Sequence, residues 1–238
     1  MQLFYTTDIQ DQMAFLQEEE ARHCVQVLRH KAGDEIKLMD GKGGMYQATI
    51  LEATRKKVSL RILSTVQTYT HRPARLHLAV APTKNISRWE WLLEKAVEIG
   101  VDEITPIICQ RSERKVVKPA RLQKIILAAA KQSKNTILPT FNPVIKLVDF
   151  IKNKAEVMSQ KFIAHCEDGN EIHLMEKYEP QEDVIILIGP EGDFSQVEIE
   201  ACLNAKYSPI QLGVSRLRTE TAGIVACHTV NLKAQQFK

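Results

Sequence analysis

The sequence predicts a two-part α/β protein, with a small strand-rich barrel over residues 1–72 and a parallel-sheet domain over residues 73–238. Three observations predict it. The first seventy residues carry short strand-like runs parted by turn residues. After Pro73 the rhythm changes to strands alternating with helices, which implies a mainly parallel sheet covered on both faces. The 238 residues, 44% hydrophobic and 26% charged, also supply enough apolar material for a core in each part.

In the first part EIKLMDG, MYQATILEA and KVSLRILSTV alternate or carry β-branched residues, and Asp40-Gly41-Lys42-Gly43-Gly44 is a hairpin turn between two of them. That glycine cluster is no phosphate loop, because it lacks the GxxxxGK[ST] spacing and runs into a strand. A helix fits Glu18 to Arg29, and short strands closed around it suggest a barrel. The boundary falls at Thr70-His71-Arg72-Pro73, a polar stretch ending in proline. Beyond it LHLAVAP reads as a buried strand. Ser87-Arg88-Trp89-Glu90 reads as a capping box opening a helix through Ile99, stopped by Gly100, with Leu92, Leu93, Ala96 and Val97 as its apolar face. EITPIIC, FIAHC, VIILIG and PIQLG are further strands, and Ala120 to Ser133 is a second helix. A second capping box, Ser195-Gln196-Val197-Glu198, opens a helix to Lys206, and the closing helix runs from Glu220 to about Gln235. Trp89 and Trp91 face different sides of their helix, so at most one packs in the core. An exposed one would stack on a base or line a dimer interface.

Several function classes are disfavoured. No stretch approaches the roughly 18 apolar residues of a membrane span. MQLFYTTDIQDQ has no basic leader followed by an apolar segment, so a cytoplasmic protein is expected. The five cysteines form no CxxC pair and the seven histidines no HxxxH or HExxH pattern, so no metal site is expected. Net charge is only +3, but it is unevenly spread. Arg111, Arg114, Lys115, Lys118, Arg121, Lys124, Lys131 and Lys134 stand against the single acid Glu113, whereas acids dominate from Glu156 to Glu200. A basic block is either a solvated face or a surface that tracks phosphates.

In an open parallel sheet, ligands collect at the carboxyl ends of the strands. Two such ends have unusual sequences. Ile188-Gly189-Pro190-Glu191-Gly192-Asp193-Phe194-Ser195 is a tight loop of little bulk, open to backbone contact. Leu212-Gly213-Val214-Ser215-Arg216-Leu217-Arg218-Thr219-Glu220-Thr221-Ala222 runs from a strand end into the last helix. Neither is a Rossmann or Walker fingerprint, and Ser195 is a helix cap rather than a nucleophile, since it lies in no GxSxG elbow.

IGPEGDFS followed by LGVSRLRTETAGIVA resembles the C-terminal signature of the RsmE family, the 16S ribosomal RNA uracil-N3 methyltransferases of the SPOUT class. His23, Val27, Leu28, Arg29, Gly33 and Asp40-Gly41 resemble its N-terminal domain, and Lys95, Glu98, Gly100 and Pro106 also fall in place. The resemblance covers essentially the whole chain. It implies a PUA-like RNA-binding barrel, then a SPOUT-type parallel sheet with a C-terminal trefoil knot, a rare exception to unknotted connectivity. It further implies S-adenosyl-L-methionine as cofactor, 16S rRNA in the small ribosomal subunit as partner, and a homodimer with its active site near the interface. Carried over by residue, Leu187, Gly189, Pro190, Glu191, Gly192, Leu212, Gly213, Leu217 and Thr221 would hold the cofactor.

Three positions, Lys131, Asn135 and Asp193, depart from the family pattern. Lys131-Gln132-Ser133-Lys134-Asn135 stands where much of the family has Glu-Gln-Ser-x-Arg, and Asp193 stands where glycine is common, just before a helix N-terminus that suits a carboxylate. For the reaction the resemblance implies, N3 of uracil must lose its proton, and an arginine aimed at the flanking carbonyl oxygens would stabilise the charge. Arg218 is the expected arginine, its alternative being a brace to Glu220 or Glu191. Glu191 either helps deprotonation or holds the cofactor loop. Arg29, Lys84, Arg88, Lys95, Arg111 and Arg114 are the expected RNA contacts. A rival reading is a SPOUT-type RNA-binding or ribosome-assembly factor with a changed target or a decayed site.

Overall fold

The computed structural model describes residues 3–68, 74–167 and 172–236. The boundary expected at Arg72-Pro73 lies outside the described residues. Two compact units are found, Met1–His71 with Leu127–Leu138, and Arg72–Ile126 with Pro139–Lys238.

The first unit contains β1 (Leu3–Tyr5), β2 (Ile9–Gln10), β3 (Met13–Gln17), α1 (Glu18–Arg22), β4 (Glu35–Met39), β5 (Gly44–Ala53) and β6 (Lys57–Thr68). The sheet order is β1-β4-β5-β6-β3-β2, with β1 and β4 parallel and the other pairs antiparallel. Alternation decides the core. Ile36 and Leu38, Ala48 and Ile50, Val58 and Leu60, and Ala14 and Leu16 bury one face of the sheet with Phe4, Ala21 and Cys24. The helix expected from Glu18 to Arg29 begins as α1 but continues over His23–Val27 as a π-helical turn. The expected hairpin turn is present, and Asp40 Oδ1 accepts the amides of Lys42 (2.7 Å) and Gly44 (2.9 Å).

The second part of the chain runs β7 (Leu76–Val80), α2 (Ile86–Ile99), β8 (Glu103–Ile108), α3 (Pro119–Ser133), β9 (Thr140–Phe141), β10 (Ile145–Lys146), α4 (Leu147–Asn153), β11 (Gln160–Ala164), α5 (Leu174–Lys177), β12 (Val184–Ile188), α6 (Gln196–Asn204), β13 (Ser208–Ile210) and α7 (Thr219–Gln235). Every pairing in this sheet is parallel, in the order β10-β8-β7-β12-β11-β13, with β9 beside β8. One face, with Ala79, Ile107, Ile163, Ile185 and Leu187, packs against Leu147, Phe150 and Ile151 of α4 and Ile199 and Cys202 of α6. The other face carries α2 and α7. A Cβ on Gly223 would lie 2.5 Å from Leu92 Cδ1, so the close approach of these two helices requires glycine there.

The second half of α3 belongs to the first unit for a local reason. Lys131 Nζ donates to Glu20 Oε1 (2.7 Å) and Oε2 (3.0 Å), and Glu20 also accepts the Tyr5 amide. Gly43 N donates to Thr136 O, and Leu138 N to Gly41 O. Lys131, one of the departures from the family pattern, thus meets a carboxylate of its own unit.

The Ser195 capping box is as expected, with Glu198 reciprocating. The one at Ser87 is not. Asn85 caps α2, its side chain accepting from Ser87 N at 3.0 Å, so Ser87 lies inside the first turn. Asparagine caps as well as serine, and the Ser-x-x-Glu pattern masked the better residue two positions earlier. Gly100 ends α2 in the left-handed region, as expected. Trp89 is fully buried, edge-on to Phe141, and Trp91 is exposed.

Candidate active site

The sheet topology places the site. From β7 the chain moves to β8 on one side, whereas from β12 it moves through α6 to β13 on the other. The adjacent ends of β7 and β12 therefore form a switch point, where a crevice opens beyond the strands. Both strand ends are buried, and Ala81 N donates to Ile188 O just past them.

The loop after β12 turns tightly. Asp193 N donates to Pro190 O at 2.9 Å. Gly189 and Pro190 are buried, Glu191 and Gly192 exposed. A Cβ on Gly189 would come within 3.0 Å of the Phe194 ring. Asp193 has φ +61°, which explains a common glycine at this position better than the helix dipole does. Its carboxylate compensates, Oδ2 accepting Cys166 N and Oδ1 accepting Phe194 N, both at 2.8 Å.

The second loop follows β13, at the sheet edge beside β11. Its helix α7 nevertheless begins at β12, because Thr219 Oγ1 donates to Gly189 O at 3.0 Å. Residues 211–218 therefore carry the chain back across the carboxyl end of β11. Among the described residues, 212–217 make no hydrogen bond to the rest of the protein, and 213–216 are exposed. Gly213, at φ +140°, has open space where a Cβ would stand. Leu212 and Leu217 are half-buried, as is Thr221 in the first turn of α7. Leu187 is different. Its side chain lies in the core against α4 and α6, leaving only its backbone near the site.

Arg218 is exposed at the N-cap of α7 and makes no ion pair among the described residues. The two carboxylates expected as its alternative braces are engaged elsewhere. Glu220, buried, lies 3.8 Å from Arg88 Nε, and Glu191 Oε1 accepts the Lys84 amide at 2.8 Å. Burial lowers the pKa of His165, on the loop after β11, against the opposing charges of Asp193 and Glu167, and its Nδ1 accepts Glu167 N.

The basic candidates are mostly engaged within the chain. Lys84 Nζ pairs with Glu113 at 2.8 Å, and Lys95 with Glu94 and Glu98. Arg114 donates to the carbonyls of Thr83 and Lys84, and Arg111 to those of Gly192 and Phe194. Arg121 pairs with Glu90. Arg29 is exposed in the first unit. Sequence reasoning missed the ties made by Thr219, Asp193 and Glu198. A buried threonine opening a helix after an arginine-rich loop was the available signal.

These residues fit a ligand read by backbone groups. The 212–217 segment offers amides and carbonyls without hydrogen bonds among the described residues, beside the half-buried Leu212 and Leu217, which suits a molecule with both polar edges and an apolar face. Nothing here resembles a triphosphate cradle. Among the described residues no group of His, Cys, Asp and Glu is arranged to hold a metal, and no helix is long and apolar enough to cross a membrane.

Known proteins resemble this chain in sequence and fold. The RNA methyltransferase domain model matches residues 70–231, and the RNA methyltransferase PUA domain model residues 16–63. A crystal structure described as a "probable rRNA-methyltransferase" from Porphyromonas gingivalis is 39% identical over 100% of both chains, with a TM-score of 0.90. A ribosomal RNA small subunit methyltransferase E from Neisseria gonorrhoeae, bound to S-adenosyl methionine, is 27% identical over 98% of this chain and 97% of its own, with a TM-score of 0.87. The ribosomal RNA small subunit methyltransferase E of Rickettsia conorii is 30% identical over 208 residues, 87% of this chain and 84% of its own.

Proposed function

Because the chain belongs to the ribosomal RNA small subunit methyltransferase E family, we infer that it methylates N3 of one uridine in 16S rRNA with S-adenosylmethionine as donor. The observation that carries the reading is the 211–218 segment. It crosses the strand ends with the backbone groups of 212–217 unspent among the described residues, and Thr219 ties it to Gly189.

Gly189, Pro190, Gly192, Leu212, Gly213, Leu217 and Thr221 hold the cofactor in this proposal, and Leu187 supports them from the core. Bound there, the cofactor supplies an activated methyl group on a sulfonium. Arg218 is the catalytic residue we assign. Exposed at the positive end of α7, and without an ion pair among the described residues, its guanidinium stabilises the charge that N3 deprotonation places on the uracil carbonyl oxygens. Glu191 holds the loop through the Lys84 amide. Arg29, Lys84, Arg88 and Lys95 are proposed to meet RNA phosphates, which position the substrate without reading its sequence.

Three finer features belong to the same proposal. A trefoil knot is supported by the return of the chain from the edge strand β13 to the centre of the sheet. A PUA-like barrel is supported by the six-stranded sheet and the family match over residues 16–63. A homodimer is supported by α7, where Ile224 and Val225 are half-covered and Leu232 is exposed, and a cytoplasmic location by the ribosomal RNA substrate named for the relatives.

The test uses small ribosomal subunits from cells lacking this gene, purified protein and methyl-labelled S-adenosylmethionine. One labelled 3-methyluridine is expected after digestion. Cofactor binding without label would move the activity to another RNA or position. Neither binding nor label would leave an RNA-binding factor.

A further inference from the structure

The turn after β8 reaches farther than its strand. In the order β8-β7-β12, a residue leaving β8 must span β7 to meet the loop of β12, and Arg111 does so. Resting on the cofactor reading above, we propose that the turn over residues 110–114 is a buckle that shapes the cofactor loop. Arg111 and Arg114 are then positioning residues rather than RNA contacts.

The buckle is fixed at both ends. Gln110 N donates to Glu198 Oε1 at 2.7 Å, while Glu198 Oε2 accepts Ser195 N, so one buried carboxylate joins the turn to the N-terminus of α6. Within the turn, Ser112 Oγ accepts the Cys109 amide at 2.9 Å and is itself buried. From this base two guanidinium groups reach outward. Arg111 donates one nitrogen to Gly192 O (2.9 Å) and Phe194 O (3.2 Å), the carbonyls that flank the left-handed Asp193. Arg114 donates to Thr83 O (3.0 Å) and Lys84 O (2.7 Å) on the loop after β7. Glu113 between them takes the Lys84 ammonium. Lys84 N in turn meets Glu191, which closes a ring through all three loops.

The chemistry favours clamping over phosphate contact. A planar guanidinium presents several donors in fixed directions, so one side chain can pin two carbonyls that a lysine ammonium cannot pin with the same geometry. The four carbonyls fix where each guanidinium sits, so neither arginine can swing out to a phosphate without giving up hydrogen bonds to the loops. Pulled outward by Arg111, the 192–194 peptides hold the turn so that Gly189 and Pro190 form its ligand side.

The test compares wild type with Arg111→Ala, Arg111→Lys and Arg114→Ala in three measurements: calorimetric affinity for S-adenosylmethionine, affinity for small ribosomal subunits, and thermal unfolding. Loss of charged hydrogen bonds should weaken cofactor binding by roughly tenfold to a hundredfold in Arg111→Ala. The loss should be smaller in Arg111→Lys and in Arg114→Ala, with subunit affinity changed less than about twofold, too little for a lost phosphate contact. Weakened subunit binding with unchanged cofactor affinity would return both arginines to the RNA face and overturn the proposal. Unchanged affinities with a lowered melting temperature would make them structural only, and would overturn it too. Should Arg111→Ala not fold, Arg111→Lys carries the comparison. Wild-type protein that binds no cofactor would instead sink the cofactor reading itself, before any variant is compared.

Discussion

The two ends of the parallel sheet hold similar residues and use them in opposite ways. At the amino end, His77 Nε2 meets Thr105 Oγ1 at 2.7 Å, Asn142 Nδ2 donates to Glu103 Oε1 and Thr105 Oγ1 at 2.7 Å each, and His77 Nδ1 lies 3.5 Å from Glu103. Phe150 covers the imidazole edge-on. Each polar group there is answered by another, as burial demands. At the carboxyl end the loops after β7, β8 and β12 are tied into a ring, but among the described residues the 212–217 backbone makes no hydrogen bond to the rest of the protein and Arg218 makes no ion pair. A closed polar network supports the fold, while an open one leaves binding capacity unspent. That difference separates a site from a scaffold on one sheet.

The largest expected effect breaks the open end. Arg218→Ala removes an exposed side chain with no ion pair, so melting temperature and calorimetric cofactor affinity should stay near wild type. Loss of a donor to developing negative charge should lower the methylation rate by about a hundredfold to a thousandfold. A rate within threefold of wild type, measured with saturating cofactor, would take Arg218 out of the chemistry.

The closed end should respond in stability instead. Glu103→Ala strips a partner from His77, Asn142 and Lys154 together and should cost about 2–3 kcal/mol in denaturant unfolding. Its cofactor affinity at neutral pH should not change. The same end carries a pH dependence whose sign follows from burial. Burial pushes the His77 pKa down to about 4, with nearby Lys154 and Arg75 acting in the same direction against Glu103. The unfolded chain binds that proton near pH 6.5 and the native protein does not. Stability from this group is therefore full above about pH 6.5 and is lost as pH falls toward 4. Melting temperatures across that window should flatten in His77→Gln. An unchanged slope would mean that another group sets the acid limit.

The two ends were not equally legible in sequence. The carboxyl-end loops announced themselves because Gly189, Pro190, Gly192 and Gly213 are scarce residue types gathered at strand ends. The expected strands were found with ends shifted by a residue or two, since apolar alternation survives any exact boundary. The amino-end network had no such signal: His77, Glu103 and Asn142 are distant in sequence and meet only through the parallel registers of β7 with β8 and of β8 with β9. Short elements such as β9, β10, α4 and α5 also escaped, because two to seven residues complete too little of a period to be read. The basic block misled for a related reason. Charge counts show where arginines are, but Arg111, Arg114 and Arg121 found acceptors brought close only by folding.

The smallest predicted effect lies where the two behaviours meet. Thr219 is buried, like a residue of the closed end, yet its hydroxyl donates to the Gly189 carbonyl at the edge of the open one. Thr219→Val keeps the shape and removes only that donor, leaving a buried carbonyl unanswered. A single neutral hydrogen bond contributes about 1 kcal/mol, so a few degrees of melting temperature should be lost. If the tie merely holds α7 to the sheet, that loss is the whole effect. If it also sets the distance between the two loops, cofactor affinity should fall by about threefold to tenfold as well, and a Thr219→Ser variant should restore it. Calorimetry on the valine and serine variants separates the two cases, because the serine hydroxyl can reach Gly189 whereas valine's methyl cannot.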